Sequence, residues 1–201
     1  MKKYKLYIFD LDGVILNTKS NMEASWKDVR IKHNLKPKFI DYFALIGTPF
    51  IKILKQLNIN SDRQNIAKTY SLKSKKYINK IKLYPKIKSV LNQLRLKSKI
   101  AVVTSKEKKR TLFFLKRFKL KFDIISCPEK GKRGKPYPDQ LLKVIKKFKL
   151  NKKDCVYVGD MKVDFIAAKN AKIDFILAKY GYEKKIIKKV SKIKKFEDLI
   201  K

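Results

Sequence analysis

The chain has little of what builds thiol or imidazole metal centres: two cysteines and one histidine in 201 residues. Cys127 and Cys155 show no clamp spacing, and both fall in apolar segments that read as strands. They are therefore expected to be free, buried thiols of a protein kept in a reducing cytoplasm. His33 closes a helical stretch and is expected at a helix end. No apolar run approaches the length of a membrane span, so no membrane partner is expected. The first apolar stretch is cut by Asp10 and Asp12, so it is not expected to be a signal peptide. Repeats and low-complexity linkers are missing too.

Acids are scarce beside bases, 17 against 53, for a formal net charge of +36. A charge of that size suits a protein that grips nucleic acid. Arginine, the usual reader of bases and phosphates, is nonetheless rare, while lysine, isoleucine and asparagine abound. That pattern fits the drift of an A- and T-rich genome. The excess is read as compositional, with attraction of anionic substrates as a by-product, and nucleic acid is not the expected partner.

What is present is 44% hydrophobic residues, enough for a real core, arranged as alternating short strands and helices. Tyr4–Phe9, Ile100–Val103, the run from Cys155 to Val158 and Asp174–Ala178 read as buried strands, with a weaker one over Phe122–Ser126. Helix-period segments separate them: Ile87–Leu96, Lys108–Phe118, Pro138–Phe148 and Val163–Ala171. The alternation predicts an α/β fold, a three-layer Rossmann-like core around a parallel sheet. From Leu16 to Leu83 no strand is evident, and helical segments run over Ser20–His33, Lys38–Leu45, Pro49–Leu57 and Ser61–Ile81. The expected organisation is a core of residues 1–15 and 84–201, with a small α-helical cap, residues 16–83, inserted after the first strand.

Chemistry-bearing residues gather at the predicted C-terminal strand ends, the edge where open α/β sheets bind ligands. Asp10-Leu11-Asp12-Gly13 follows the first strand, offering two carboxylates and a glycine for a sharp turn. Paired carboxylates there can hold a hard cation, and one of them can attack an electrophile. Thr104-Ser105 ends the second core strand, where a hydroxyl beside free N–H groups suits a phosphoryl oxygen. Lys135 is flanked by Gly134 and Pro136 just before a helix, so its ammonium is aimed at a fixed point. Asp160 ends another strand, and Asp164 lies four residues on, on the same face of the next helix. Helix capping explains Asp160 or Asp164 singly, but not an acid pair repeated at two strand ends.

The order Asp10/Asp12, Thr104, Lys135, Asp160/Asp164 resembles the haloacid dehalogenase-like hydrolase superfamily over nearly the whole chain. The likeness is greatest to its helical-cap subgroup, which includes phosphoglycolate phosphatase-like enzymes and β-phosphoglucomutase. Leu83-Tyr84-Pro85, Phe122-Asp123 and Tyr180-Gly181-Tyr182 are secondary matches. The resemblance implies a phosphatase that acts on a small phosphorylated metabolite through a phosphoaspartyl intermediate on Asp10, with Asp12 as acid and base. It implies Mg²⁺ held by Asp10, Asp12 (through its carbonyl) and Asp160, supported by Asp164. Thr104, Ser105 and Lys135 would bind the phosphate, in a monomer or dimer. Val14 and Met161 depart from the residues common after those motifs, without deleting a group that touches substrate or metal. The acid at position 12 favours phosphoryl transfer over dehalogenation. The form Gly159–Asp164 resembles hydrolases more than the mutase, which stays as the alternative. A basic nucleic-acid-binding protein on the same fold is the alternative of another class.

Overall fold

The computed structural model describes residues 2–183 and 190–201. The opening apolar run forms β1 (Leu6–Phe9), buried throughout. After a tight turn come a two-residue strand, β2 (Leu16–Asn17), and the helices α1 (Lys19–His33), α2 (Phe39–Phe43), α3 (Phe50–Gln56) and α4 (Arg63–Lys76). A second two-residue strand, β3 (Lys82–Leu83), leads to α5 (Ile87–Arg95), β4 (Lys99–Val103), α6 (Lys108–Arg117) and β5 (Ile124–Ser126). The chain continues through α7 (Asp139–Phe148), β6 (Cys155–Gly159), α8 (Lys162–Ala171), β7 (Asp174–Ala178) and β8 (Ser191–Ile193), and ends in a 3₁₀ turn over Phe196–Ile200.

Six strands form one sheet in the order β5-β4-β1-β6-β7-β8. Every neighbouring pair in it is parallel. The two inner neighbours of β1 are thus the second and fourth strands of this sheet in chain order, and the order reverses between β1 and β6. That reversal opens a crevice at the carboxyl ends of the strands. Alternation along β1 sends Leu6 and Ile8 to the face covered by α7 and α8, with Leu141, Val144, Ala167 and Ala168. Phe9 serves the opposite face, its ring 5.5 Å from that of Phe196. α5 buries Ile87, Val90, Leu91 and Leu94, the i, i+3, i+4, i+7 stripe of a helix lying on a core. Helix, sheet and helix make the three-layer α/β arrangement expected from the alternation.

The chain divides into two compact units, Met1–Leu16 with Leu83–Lys201, and Asn17–Lys82. The second is helical and has a core of its own. Trp26 of α1 stacks on Tyr42 of α2, with ring centroids 4.7 Å apart. The Tyr42 hydroxyl lies 2.9 Å from that of Tyr70 on α4. Asn21 donates to the Ser74 carbonyl and accepts from the Ser74 hydroxyl, which fixes α1 against α4. His33, the last residue of α1, meets the Thr69 hydroxyl at 2.9 Å.

Several local expectations are corrected. β2 and β3 pair as a separate two-stranded ribbon where no strand was evident, because two-residue strands carry no alternation to read. The helix expected over Ser61–Ile81 ends at Lys76, and a 3₁₀ turn follows over Ile78–Lys80. Cys127 lies one residue beyond β5, not within it. Both cysteines are free and buried.

Candidate active site

Register puts the site together. Phe9 of β1 stands opposite Val102 of β4 and Val158 of β6, so Asp10, Thr104 and Asp160 leave the sheet at one edge. The Asp10 N–H extends the ladder by donating to the Val158 carbonyl at 2.9 Å. Gly13 then turns the chain at φ +86°, and any Cβ there would overlap the Asp160 carboxylate. Gly181 and Gly159 are close-packed in the same way, against Asp160 and Asp164 respectively. The three glycines thus form a tight seat for two acids.

Lys135 is the hub. Its ammonium donates to Asp10 Oδ1 (2.9 Å), to Asp164 Oδ1 (2.6 Å) and to the Tyr157 hydroxyl (3.2 Å). The Asn170 side chain of α8 donates to the Pro136 carbonyl, which ties down the loop carrying the lysine. Tyr157, inside β6, lies 3.0 Å from Asp164 Oδ1 and 3.2 Å from the Val103 carbonyl. The other oxygen of Asp164 accepts the N–H groups of Asp160 and Met161, which caps the start of α8. Asp164 is therefore fully occupied. Asp160 is not: Oδ2 accepts the Tyr182 N–H at 2.8 Å, while Oδ1 is buried with no hydrogen-bond partner among the described residues.

The carboxylates of Asp10, Asp160 and Asp164 approach within 4.8 Å of one another. Three buried carboxylates against one buried ammonium would leave two negative charges, which burial makes expensive. Burial, helped by Asp164 and Asp12 and opposed by Lys135, pushes Asp10 up to about 7. Burial, with Asp164 and Asp10, raises Asp160 well above the carboxylate range. Lys135 is pulled down by burial but held above its ordinary range by Asp10 and Asp164, so it stays charged. The orphaned Asp160 oxygen, the crowded acids and the hard-oxygen donor set all fit a divalent cation.

The remaining sequence-derived residues lie on the same edge. Thr104 is buried, and its hydroxyl accepts the Lys106 N–H at 3.1 Å, bracing the turn rather than capping α6. Ser105 is half-buried in that turn. The Asp12 carboxylate stands apart from the acid cluster and pairs with Lys106 at 2.8 Å. Tyr157 and Lys106 were not anticipated. Tyr157 is one polar atom in an apolar strand, and Lys106 is one lysine among dozens, so neither carries a signal of its own.

A parallel α/β sheet that gathers buried acids and a buried lysine at its switch point is an enzyme framework. The chain belongs to the haloacid dehalogenase-like hydrolase family, whose model matches residues 7–178. It is 31% identical over 175 residues to a Caldanaerobacter subterraneus protein provisionally named pyrophosphatase PpaX, covering 84% of this chain and 79% of the relative. It is 27% identical over 202 residues to phosphoglycolate phosphatase of Haemophilus influenzae, covering 90% and 88%. A haloacid dehalogenase-like hydrolase structure from Streptococcus pneumoniae superposes with a TM-score of 0.86 at 16% identity, covering 100% of this chain and 98% of that one, a likeness of fold. No described helix is long and apolar enough to cross a membrane.

Proposed function

We propose that this hydrolase is a Mg²⁺-dependent phosphatase acting on a small phosphate monoester, with Asp10 as nucleophile. The observation that carries the reading is the pairing of a buried, lysine-held carboxylate at the end of β1 with an unpartnered Asp160 oxygen beside it. Asp10 and Asp160 would hold the cation with the Asp12 carbonyl, and Asp164 would fix Asp160 and Lys135. A bound Mg²⁺ supplies the positive charge that lets a carboxylate approach an anionic phosphoryl group.

Asp10 attacks phosphorus in line, the bond to the leaving oxygen breaks, and Asp12 gives that oxygen its proton. Asp12 then takes a proton from the water that cleaves the acyl phosphate, releasing inorganic phosphate and restoring Asp10. Lys135, the Thr104 hydroxyl and the Ser105 N–H neutralise the phosphoryl oxygens as charge spreads over them. The names of the relatives support phosphoglycolate or another small phosphate as substrate, and the Asn17–Lys82 unit is read as the cap that selects it. The +36 charge is read as composition rather than a nucleic-acid footprint. Lysines occupy even positive-φ positions (Lys86, Lys119, Lys149 and Lys172) where glycine or asparagine is favoured.

The test is released phosphate from a panel of phosphorylated metabolites, with inorganic pyrophosphate included, in Mg²⁺ and in chelator. Turnover of a small monoester that vanishes in chelator and in Asp10→Asn supports the reading. Retention of activity by Asp10→Asn would remove Asp10 as nucleophile.

A further inference from the structure

Lys106 differs from a solvated surface lysine in how it is held. Its side chain is only 11% exposed, and its ammonium meets Asp12 Oδ2 at 2.8 Å, on a carboxylate itself 19% exposed. The same ammonium lies 5.5 Å from the centre of the Phe114 ring, a buried side chain of α6. The backbone is fixed as well. The Lys106 N–H donates to the Thr104 hydroxyl at 3.1 Å, and the Thr104 N–H donates to the Ser126 carbonyl at the end of β5. A ring face beside the cation and a braced turn behind it keep this side chain in one place.

Asp12 stands two residues from Asp10, in a turn closed by the Gly13 N–H on the Leu16 carbonyl. Lys135 has no N–H left for it. An ammonium carries three donors, and those of Lys135 go to Asp10, Asp164 and Tyr157. The Asp12 carboxylate turns to Lys106 instead, and it is not one of the three carboxylates that approach within 4.8 Å of one another. That separation bears on phosphoryl transfer. In-line displacement puts the attacking and departing oxygens on opposite sides of phosphorus, so nucleophile and acid cannot share one place.

We propose that Lys106 is a positioning residue: its ammonium holds the Asp12 carboxylate clear of the acid cluster and aims it at the leaving oxygen. The assignment rests on Asp12 being the acid, and the test separates the two. Phenyl phosphate and p-nitrophenyl phosphate are esters of similar shape, and only the first has a leaving group that needs protonation. kcat and KM are measured on both for wild type, Asp12→Asn, Lys106→Met, Lys106→Arg and the Asp12→Asn/Lys106→Met pair. Lys106→Met is expected to lower kcat on phenyl phosphate about tenfold more than on p-nitrophenyl phosphate, within the ~10²–10⁴-fold worth of the acid itself. KM should change little, and Lys106→Arg should restore most of the loss. In the Asp12→Asn background Lys106→Met should cost nothing further, because no acid is left to aim. Thermal melting checks that each variant folds, and Lys106→Gln takes the place of Lys106→Met if that one does not. Equal losses on the two esters, a loss confined to KM, or a full further loss on top of Asp12→Asn would overturn the proposal and leave Asp12 its role. If Asp12→Asn itself lost equally on both esters, the acid role would fall and the positioning role with it.

Discussion

Lys135 Nζ stands 2.9 Å from Asp10 Oδ1, with side-chain exposures of only 2% and 8%. The same ammonium reaches Asp164 at 2.6 Å, so one buried cation holds an acid that follows β1 and an acid in the first turn of α8. Removing one partner of such a group leaves uncompensated buried charge, at a cost of about 3–5 kcal/mol. Lys135→Met, which keeps the bulk, is expected to lose stability on that scale in urea unfolding and to lose activity. A loss below about 1 kcal/mol, the worth of an exposed pair, would mean that the lysine is not what holds the acids.

The raised Asp10 carboxyl predicts a pH dependence of the metal-free protein. Its ordinary value is 3.8, and burial lifts it to about 7 in the fold. Between those values the folded chain keeps a proton that the unfolded chain has released, so its stability falls as pH rises. The contribution is complete below the unfolded value and lost as pH passes through the folded one. Asp10→Asn cannot titrate. In chelator, wild-type stability relative to Asp10→Asn should decline across that window and then level off. A difference that grows with pH would show that Lys135 outweighs burial.

Asp160 offers a sharper contrast, because its Oδ1 has no partner and its charge is crowded by Asp10 and Asp164. Asp160→Asn should leave the metal-free protein as stable as wild type or more so, since one crowded charge is gone. It should also abolish stabilisation by Mg²⁺, which in wild type is worth about 2.7 kcal/mol at a hundredfold excess over Kd. Thermal melts with and without Mg²⁺ read both effects. An undiminished Mg²⁺ shift in the variant would move the cation elsewhere.

Asp12 is held by Lys106, away from the acid cluster, and is proposed as the group that protonates the leaving oxygen. Asp12→Asn is expected to slow turnover by about 10²–10⁴-fold on substrates with alkoxide leaving groups. The loss on p-nitrophenyl phosphate should be much smaller, because that leaving group needs little protonation. Equal losses on the two substrate types would count against the acid role.

The sheet and its acid-bearing edge were legible because parallel strands buried on both faces read as continuous apolar runs, and whatever polar residue follows such a run stands out. Asp10, Thr104 and Asp160 are of that kind. The orientation of the carboxylates was not legible. No pattern in the sequence says that Asp12 turns to Lys106 while Asp164 joins Asp10 and Asp160, since that depends on which strand ends are neighbours and on side-chain rotamers. Tyr157 was hidden by its strand, and β8 by its length of three residues.

Gly181 carries the last prediction. A Cβ there would meet the Gly13 carbonyl at 2.7 Å and overlap the Asp160 side chain outright. Neither neighbour can yield easily. Gly13 is held in a positive-φ turn, and Asp160 is held by the N–H of Tyr182, the very next residue. Gly181→Ala must therefore push Asp160 away from its seat, at an overpacking cost of about 1–3 kcal/mol. Because Asp160 is read as a metal ligand, the displacement should also weaken Mg²⁺ affinity by about 10–100-fold, the range for lost support around a metal site. Gly134→Ala is the control: it has the same chemistry with ordinary clearance, and is expected to stay within about 0.5 kcal/mol of wild type and to bind Mg²⁺ normally. If Gly181→Ala bound Mg²⁺ as tightly as Gly134→Ala, Asp160 would not be the group through which the cation is held.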